Sequence, residues 1–380
     1  MTAHACFCVN ERECPGMHII RHTVDMATAE RGGAFALGNF DGVHLGHQQV
    51  IGSALAVAAE TSVPSGVLIF EPHPQQYFFP DKPFFRLTPF RAKTRLLEGL
   101  GVDVLAALPF DKAMAERSAE SFVQDILVEG LGASHIVVGY DFRFGKGRAG
   151  DGALLQKMGG ELGFDVTIVD EVTNGGETYS STRIRECLAA GDPLGAARLL
   201  GHWWSVETHI VTGDQRGRTI GFPTINLPLE EHVEPALGVY AVLIEIEDGP
   251  HKGRYRGVAN IGRRPTFNKS DVLLEAHLFD FEGDLYGAHA AVSFVEYLRP
   301  ERKFDGLDSL KAQIALDSDQ ARERLKKVDE PGSPAQWRDL LRSEERRVGK
   351  ECKTRWSPES TKQNSRSECT CMEAYVEYWR

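Results

Sequence analysis

In the first half of the chain, short apolar runs alternate with amphipathic stretches. The runs are Ala34–Leu37, Val67–Phe70, Val102–Leu108, Ile136–Gly139 and Val166–Val169. Segments with helical spacing lie between them at 46–60, 90–100 and 118–129, with a weaker one at 154–162. Apolar strands separated by amphipathic helices predict a parallel sheet covered on both faces. Ligands of such sheets sit beyond the carboxyl ends of the strands. Gly175-Gly176 reads as a turn, and Ser181 or Thr182 as the cap of a helix starting near Arg183. Asp192-Pro193 opens another helix that ends near Gly201.

After Trp203 the period changes. Strand-like runs at 205–211, 239–246, 255–261, 273–279 and 291–297 are separated by turn residues rather than helices. This spacing predicts an antiparallel barrel or sandwich. A final long helix is expected over 307–328 and a short one over 335–341. Residues 1–16 show neither period and are expected to be a disordered extension, with Met17 an alternative start. Residues 331–380 are expected to be a disordered or extraneous tail. The two ordered modules are expected at 17–186 and 187–330, and a chain of 380 residues suits two domains at about 100–200 residues each.

Charge and cysteines narrow the function. A net charge of −11 argues against a nucleic-acid or anionic-membrane partner. It leaves small anionic substrates open, because a few local cations can hold a phosphate. No apolar run reaches the roughly 18 residues of a membrane span, and the N-terminal stretch has no apolar signal core. Six cysteines lie near the ends, at 6, 8, 14, 352, 369 and 371, and only Cys187 is in the body. No disulfide framework is expected, and the cytoplasm fits. The terminal cysteines lack paired C-x-x-C spacing and read as incidental rather than metal-binding.

Two clusters carry chemistry. The first, GNFDGVHLGH at 38–47, follows the first strand and opens the first helix. Unpaired N–H groups and partial positive charge at a helix start attract phosphate. His44 and His47, three apart, share a face and can donate to phosphate oxygens. Gly42 and Gly46 let a nucleotide approach closely. Zinc finds no third ligand in register. Asp141, in the segment after the strand at 136–139, suits a nucleotide polar group or Mg²⁺, and Ser181 and Arg183 offer a second phosphate cradle at a helix start. Gly145–Gly150 formally matches G-x-G-x-x-G but lacks the strand and helix context, so it reads as a mobile loop. There is no P-loop.

The second cluster, GRTIGFPTIN at 217–226, joins barrel strands. Thr224 and Asn226 offer hard oxygen ligands suited to Mg²⁺ carrying nucleotide phosphates. In the strand LEAHLFD at 274–280, Glu275 and His277 share one face. A carboxylate at a barrel mouth can accept a proton from an attacking hydroxyl.

With these residues in view, the chain resembles the prokaryotic bifunctional riboflavin kinase/FMN adenylyltransferase family from about Gly33 to Val328. The carrying stretches are GNFDGVHLGH (38–47), FEPHP (70–74), VGYDFRFG (138–145), SSTRIR (180–185), GRTIGFPTIN (217–226), GVANIGRRPTF (257–267) and LEAHLFDF (274–281). H-x-G-H alone indicates only a nucleotidyltransferase superfamily, whereas the P-T-x-N stretch is far narrower. The resemblance implies a Rossmann-like α/β adenylyltransferase module followed by an antiparallel β-barrel kinase module with a C-terminal helix. It implies ATP, riboflavin, FMN and FAD as substrates or products, with Mg²⁺ as cofactor. It further implies that His44 and His47 contact ATP phosphates. Gly38, Asn39, Phe40, Asp41, Gly42, Gly46, Asp141, Ser181, Thr182 and Arg183 would complete that site. Gly217, Arg218, Gly221, Thr224 and Asn226 would hold Mg²⁺-ATP in the kinase site. Glu275 would be the general base on the ribityl hydroxyl, and Asn260, Gly262 and Arg263 would bind flavin. Ile225 stands where the family commonly has Ala, a change expected to touch packing more than chemistry. Two rival readings are a single-activity adenylyltransferase with a flavin-binding barrel and a non-catalytic flavin-binding regulator. The presence of both histidines, Thr224, Asn226 and Glu275 argues against both.

Overall fold

The computed structural model describes residues 16–174, 177–213, 217, 221–265, 270–326 and 328. The expected ends, the short helix over 335–341, the turn at 175–176 and Arg218 lie outside the described residues.

The first module is a six-stranded parallel sheet. Its strands are β1 (His18–Ile20), β2 (Ala34–Leu37), β3 (Ser65–Phe70), β4 (Val104–Leu108), β5 (His135–Gly139) and β6 (Asp165–Val169), in the order β1-β4-β3-β2-β5-β6. Only β1, three residues long, escapes the apolar pattern. Helices α1 (Leu45–Thr61) and α2 (Phe90–Leu100) pack on one face of the sheet, around Ala36, Val67, Leu105 and Val137. On the other face, Phe35, Leu37, Leu68 and Ile136 meet α3 (Phe122–Gly130) and α4 (Gly152–Leu162). The expected helix over 118–129 is wound as a short α turn and then a π-helix. The order reverses between β2 and β5, so the crevice beyond their carboxyl ends is the natural ligand position. The Gly145–Gly150 stretch is not an open loop: Phe144 and Gly150 exchange backbone hydrogen bonds in both directions.

The second module is an antiparallel barrel of β7 (Ser205–His209), β8 (Ile225–Pro228), β9 (Gly238–Ile246), β10 (Gly253–Pro265), β11 (Ser270–Leu278) and β12 (His289–Pro300). The order is β8-β11-β10-β9-β12-β7, and a Val211–Asn226 bridge brings the two edges together. Alternation sends Leu274, Ala276 and Leu278 into the core with Tyr240, Val242 and Phe294. Helix α7 (Leu307–Leu325) covers part of the outer face, where Ala321 and Leu325 meet Val239, Ala241 and Val258.

Between the modules lie α5 (Ser181–Ala189) and α6 (Pro193–Leu200). Ser180, not Ser181 or Thr182, caps α5, accepting from the Arg183 N–H at 3.3 Å. The expected boundary at 186/187 cuts α5, whose Ile184 and Leu188 both sit in the barrel-side core. Helix α6 joins the same core through Ala196 and Leu200. Leu87 of the first module is also fully buried in that core.

Candidate active sites

Strand β2 delivers the chain to the first site. Its four residues are all buried, and the turn that follows carries strained backbone: Phe40 and Val43 have φ of 48° and 44°, flanking Gly42 at 91°. Both non-glycine side chains are buried, which helps to hold them there. His44 caps α1, and its Nδ1 accepts the His47 N–H at 3.3 Å. An accepting Nδ1 leaves the His44 proton on Nε2 in the neutral ring. The His44 and His47 rings stack with centroids 3.5 Å apart and planes at 19°. Gly46 makes room for this, since a Cβ there would come within 3.2 Å of the His44 ring.

Burial pushes His44 down to about 4 against the opposing pull of Asp41, with His202 reinforcing the fall. His47 is held well below its ordinary value by burial, then by His44 and Lys93. Both imidazoles are therefore neutral at physiological pH and can act as N–H donors. Nδ1 of His47 is buried and has no hydrogen-bond partner, which is costly unless a ligand supplies one.

The other expected residues divide. The Ser181 hydroxyl donates to Asp41 O at 2.8 Å, and Arg183 is half-buried in the first turn of α5. Thr182 is exposed. Asp141 is exposed just past β5, the neighbour of β2. Gly38 lies against the Phe40 ring, and Asn39 presents its carbonyl to a lysine. Asp41 has its carboxylate engaged, accepting from the Leu87 and Thr88 N–H groups and from Arg185. It acts as a clamp on the turn.

Sequence reasoning passed over Lys93. Its ammonium is almost wholly buried and donates to Asn39 O at 2.6 Å. Burial pushes it down to about 8, with Asp41 opposing. The available signal was position: Lys93, Leu97 and Leu100 share the buried stripe of α2 at helical spacing. His73 was also passed over. It caps the short helix Pro74–Phe78 and is pushed down to about 4, by burial first and then by Lys93.

The second site is a matter of strand register. Glu275 on β11 stands opposite Asn226 on β8 and, across its other edge, opposite Asn260 on β10. Directly paired residues project to the same face. The three side chains thus form a polar row on the outside of the barrel wall, because their neighbours Leu274 and Ala276 face the core. Glu275 lies on this outer face, not in a mouth. Asn226 is buried, and the strand entering from Val211 runs so close that a Cβ at Gly213 would lie 2.4 Å from its amide. Thr224 is half-buried, and a Cβ at Gly217 would lie 3.3 Å from its hydroxyl. The turn closes through Phe222 N–H to Gly217 O at 2.9 Å, while Gly221 is exposed. His277 holds the Pro223 carbonyl at 2.8 Å and so fixes the approach to Thr224. Farther along β10, Asn260 donates to Glu301, and Arg263 pairs with Glu234 beside Gly262.

Among the described residues no group of three or more His, Cys, Asp or Glu could by itself hold a metal. The Thr224 hydroxyl and Asn226 amide fit a hard cation that brings most of its ligands as phosphate oxygens. No helix among the described residues is long and apolar enough to cross a membrane.

The family model described as FAD synthetase matches residues 26–183, and the one described as riboflavin kinase matches residues 200–325. A bifunctional riboflavin kinase/FMN adenylyltransferase of Escherichia coli (strain K12) is 44% identical over 310 residues, 81% of this chain and 97% of that protein. The protein of the same description from Haemophilus influenzae is 40% identical over 306 residues, covering 80% and 98%. A solved structure from Streptococcus pneumoniae, described as a macrolide-efflux protein, superposes with a TM-score of 0.72 at 31% identity, covering 80% of this chain and 98% of that one.

Proposed function

The chain belongs to the bifunctional riboflavin kinase/FMN adenylyltransferase family, and from that premise we propose how its residues divide the two reactions. It phosphorylates riboflavin to FMN and adenylylates FMN to FAD. In the first reaction the ribityl 5′-hydroxyl attacks the γ-phosphorus of ATP, the bond to the ADP oxygen breaks, and Glu275 takes the hydroxyl proton. Thr224 and Asn226 would hold Mg²⁺ with the triphosphate. The ion, when bound, neutralises charge on the phosphate oxygens. Gly217 and Gly221 would line the ATP side, and Asn260, Gly262 and Arg263 the flavin side.

In the second reaction a phosphate oxygen of FMN attacks the α-phosphorus of ATP and pyrophosphate leaves. This nucleophile is already an anion, so the site needs donors rather than a base. The neutral rings of His44 and His47 bind the phosphates, helped by the α1 N-terminus, Asn39, Ser181 and Arg183. Lys93 supplies buried positive charge behind them. Asp41 shapes the turn instead of touching nucleotide. In-line phosphoryl and nucleotidyl transfer depend mainly on such positioning and charge stabilisation.

The observation that carries this reading is the unpartnered, buried Nδ1 of His47 at a helix start. We place the enzyme in the cytoplasm, where riboflavin and ATP meet. Incubation with riboflavin, ATP and Mg²⁺, followed by chromatography, should yield FMN and then FAD. FAD from supplied FMN without any riboflavin phosphorylation would leave a single-activity adenylyltransferase. Neither product would leave a flavin-binding regulator.

A further inference from the structure

We infer that the phosphate-binding turn of the adenylylation site is held in its working shape by the kinase module, with His202 as its positioning residue. The inference rests on the adenylylation reading of the first site. The turn at 38–47 lies in the span matching the FAD synthetase model, and Leu200, His202 and Trp204, which restrain it directly or through Leu87, lie in the span matching the riboflavin kinase model.

On one side, His202 Nε2 stands 3.1 Å from Gly42 O. Next to it, the Gln48 amide donates to Val43 O and to Leu200 O, both at 2.8 Å. Opposite, the Asp41 carboxylate accepts from the N–H groups of Leu87 and Thr88, and Gly42 N–H donates to the Thr88 hydroxyl at 2.8 Å. The 86–88 segment is itself fixed by the barrel. Trp204 Nε1 donates to Leu87 O at 2.9 Å. Arg86 N–H donates to Glu231 O at 2.7 Å, and Val233 N–H donates to Arg86 O at 2.9 Å.

These restraints matter because Phe40 and Val43 sit in the left-handed region, at φ of 48° and 44°. Such a conformation is strained for a residue with a Cβ and persists only where its surroundings over-determine it. Here part of those surroundings comes from the other module. Gly42 lies two residues before the His44 cap, so a turn that relaxes moves both imidazoles. A displacement of about 1 Å can cost roughly a hundredfold in rate.

The test uses the full chain carrying His202→Ala, His202→Gln or Trp204→Phe. FMN adenylylation is titrated separately in ATP and in FMN, and riboflavin phosphorylation is measured on the same samples. In His202→Ala, kcat/KM for ATP in adenylylation should fall by about tenfold to a hundredfold. KM for FMN and the kinase rate should stay near wild type. His202→Gln, which restores an N–H donor, should recover most of the loss. Trp204→Phe, which removes the Nε1–H and keeps an aromatic ring, should show a smaller loss of the same kind. If His202→Ala does not fold, Trp204→Phe decides alone. Unchanged adenylylation in the folded variants would overturn the inference, as would both activities falling in parallel. Wild-type protein without adenylylation would overturn the functional reading instead.

Discussion

In the proposed adenylylation site most of the acting groups come from one strand-to-helix turn, ten residues long, with Lys93 and Ser181 bonded to it from elsewhere in the chain. In the kinase site they come from three strands far apart in sequence, Asn226, Glu275 and Asn260, aligned by pairing across the sheet. The chemistry differs in the same sense. In the proposed reading the turn offers neutral imidazoles and backbone N–H groups to the phosphates, and the nucleophile is already charged. In the same reading the strand row offers a carboxylate to a hydroxyl that must lose a proton. A helix start is a ready anion site, whereas a base needs a carboxylate placed beside the phosphate-binding pair. Each module thus builds what its own nucleophile lacks.

The sharpest way to break this contrast is Glu275→Gln. Riboflavin phosphorylation should fall by about 10²–10⁴-fold, while supplied FMN is still converted to FAD. Unchanged kinase turnover would remove Glu275 from its role. The reciprocal variant, His47→Ala, should cost adenylylation about 10²–10³-fold and spare FMN formation. Equal loss of both activities would contradict separate sites. Leu87→Ala tests the seam between the modules. A wholly buried leucine truncated there should lower unfolding stability by about 2–5 kcal/mol, read by denaturant titration.

Titration sharpens the contrast further. Lys93 is charged below about 8 and neutral above, so adenylylation should lose rate as pH rises through that value. Riboflavin phosphorylation should show no matching limb, and Lys93→Arg should move the limb upward. Stability titrates as well. His44, His73 and His232 are all pushed down from 6.5 to about 4 by burial. The unfolded chain then binds more protons in that interval. Stability should be full above pH 6.5 and decline as pH falls toward 4, visible as a falling melting temperature.

Much of the fold is legible in the chain because its strands are short and strongly patterned. Helix α2 begins and ends where the apolar spacing does, β9 starts one residue before its run and ends with it, and β11 starts three residues before its run and ends one short of it. Strand β8 is less legible. Its four residues, Ile225–Pro228, carry too little alternation to register and are identified by their pairing with β11. Helices α5 and α6 have clear caps, but nothing in their spacing says which core they join.

The sequence by itself determined most of the order of elements, the two motif-bearing turns and the family. Periodicity, caps and local motifs are properties of neighbours along the chain. Tertiary structure alone decided that Leu87, Thr88 and Arg185 engage the Asp41 carboxylate, and that Glu275 stands between two asparagines on the outer wall. It alone also placed Leu200, His202 and Trp204 against the other module's turn. Burial, charge compensation and strand register arise between residues distant in sequence, and they exist only once the chain has closed on itself.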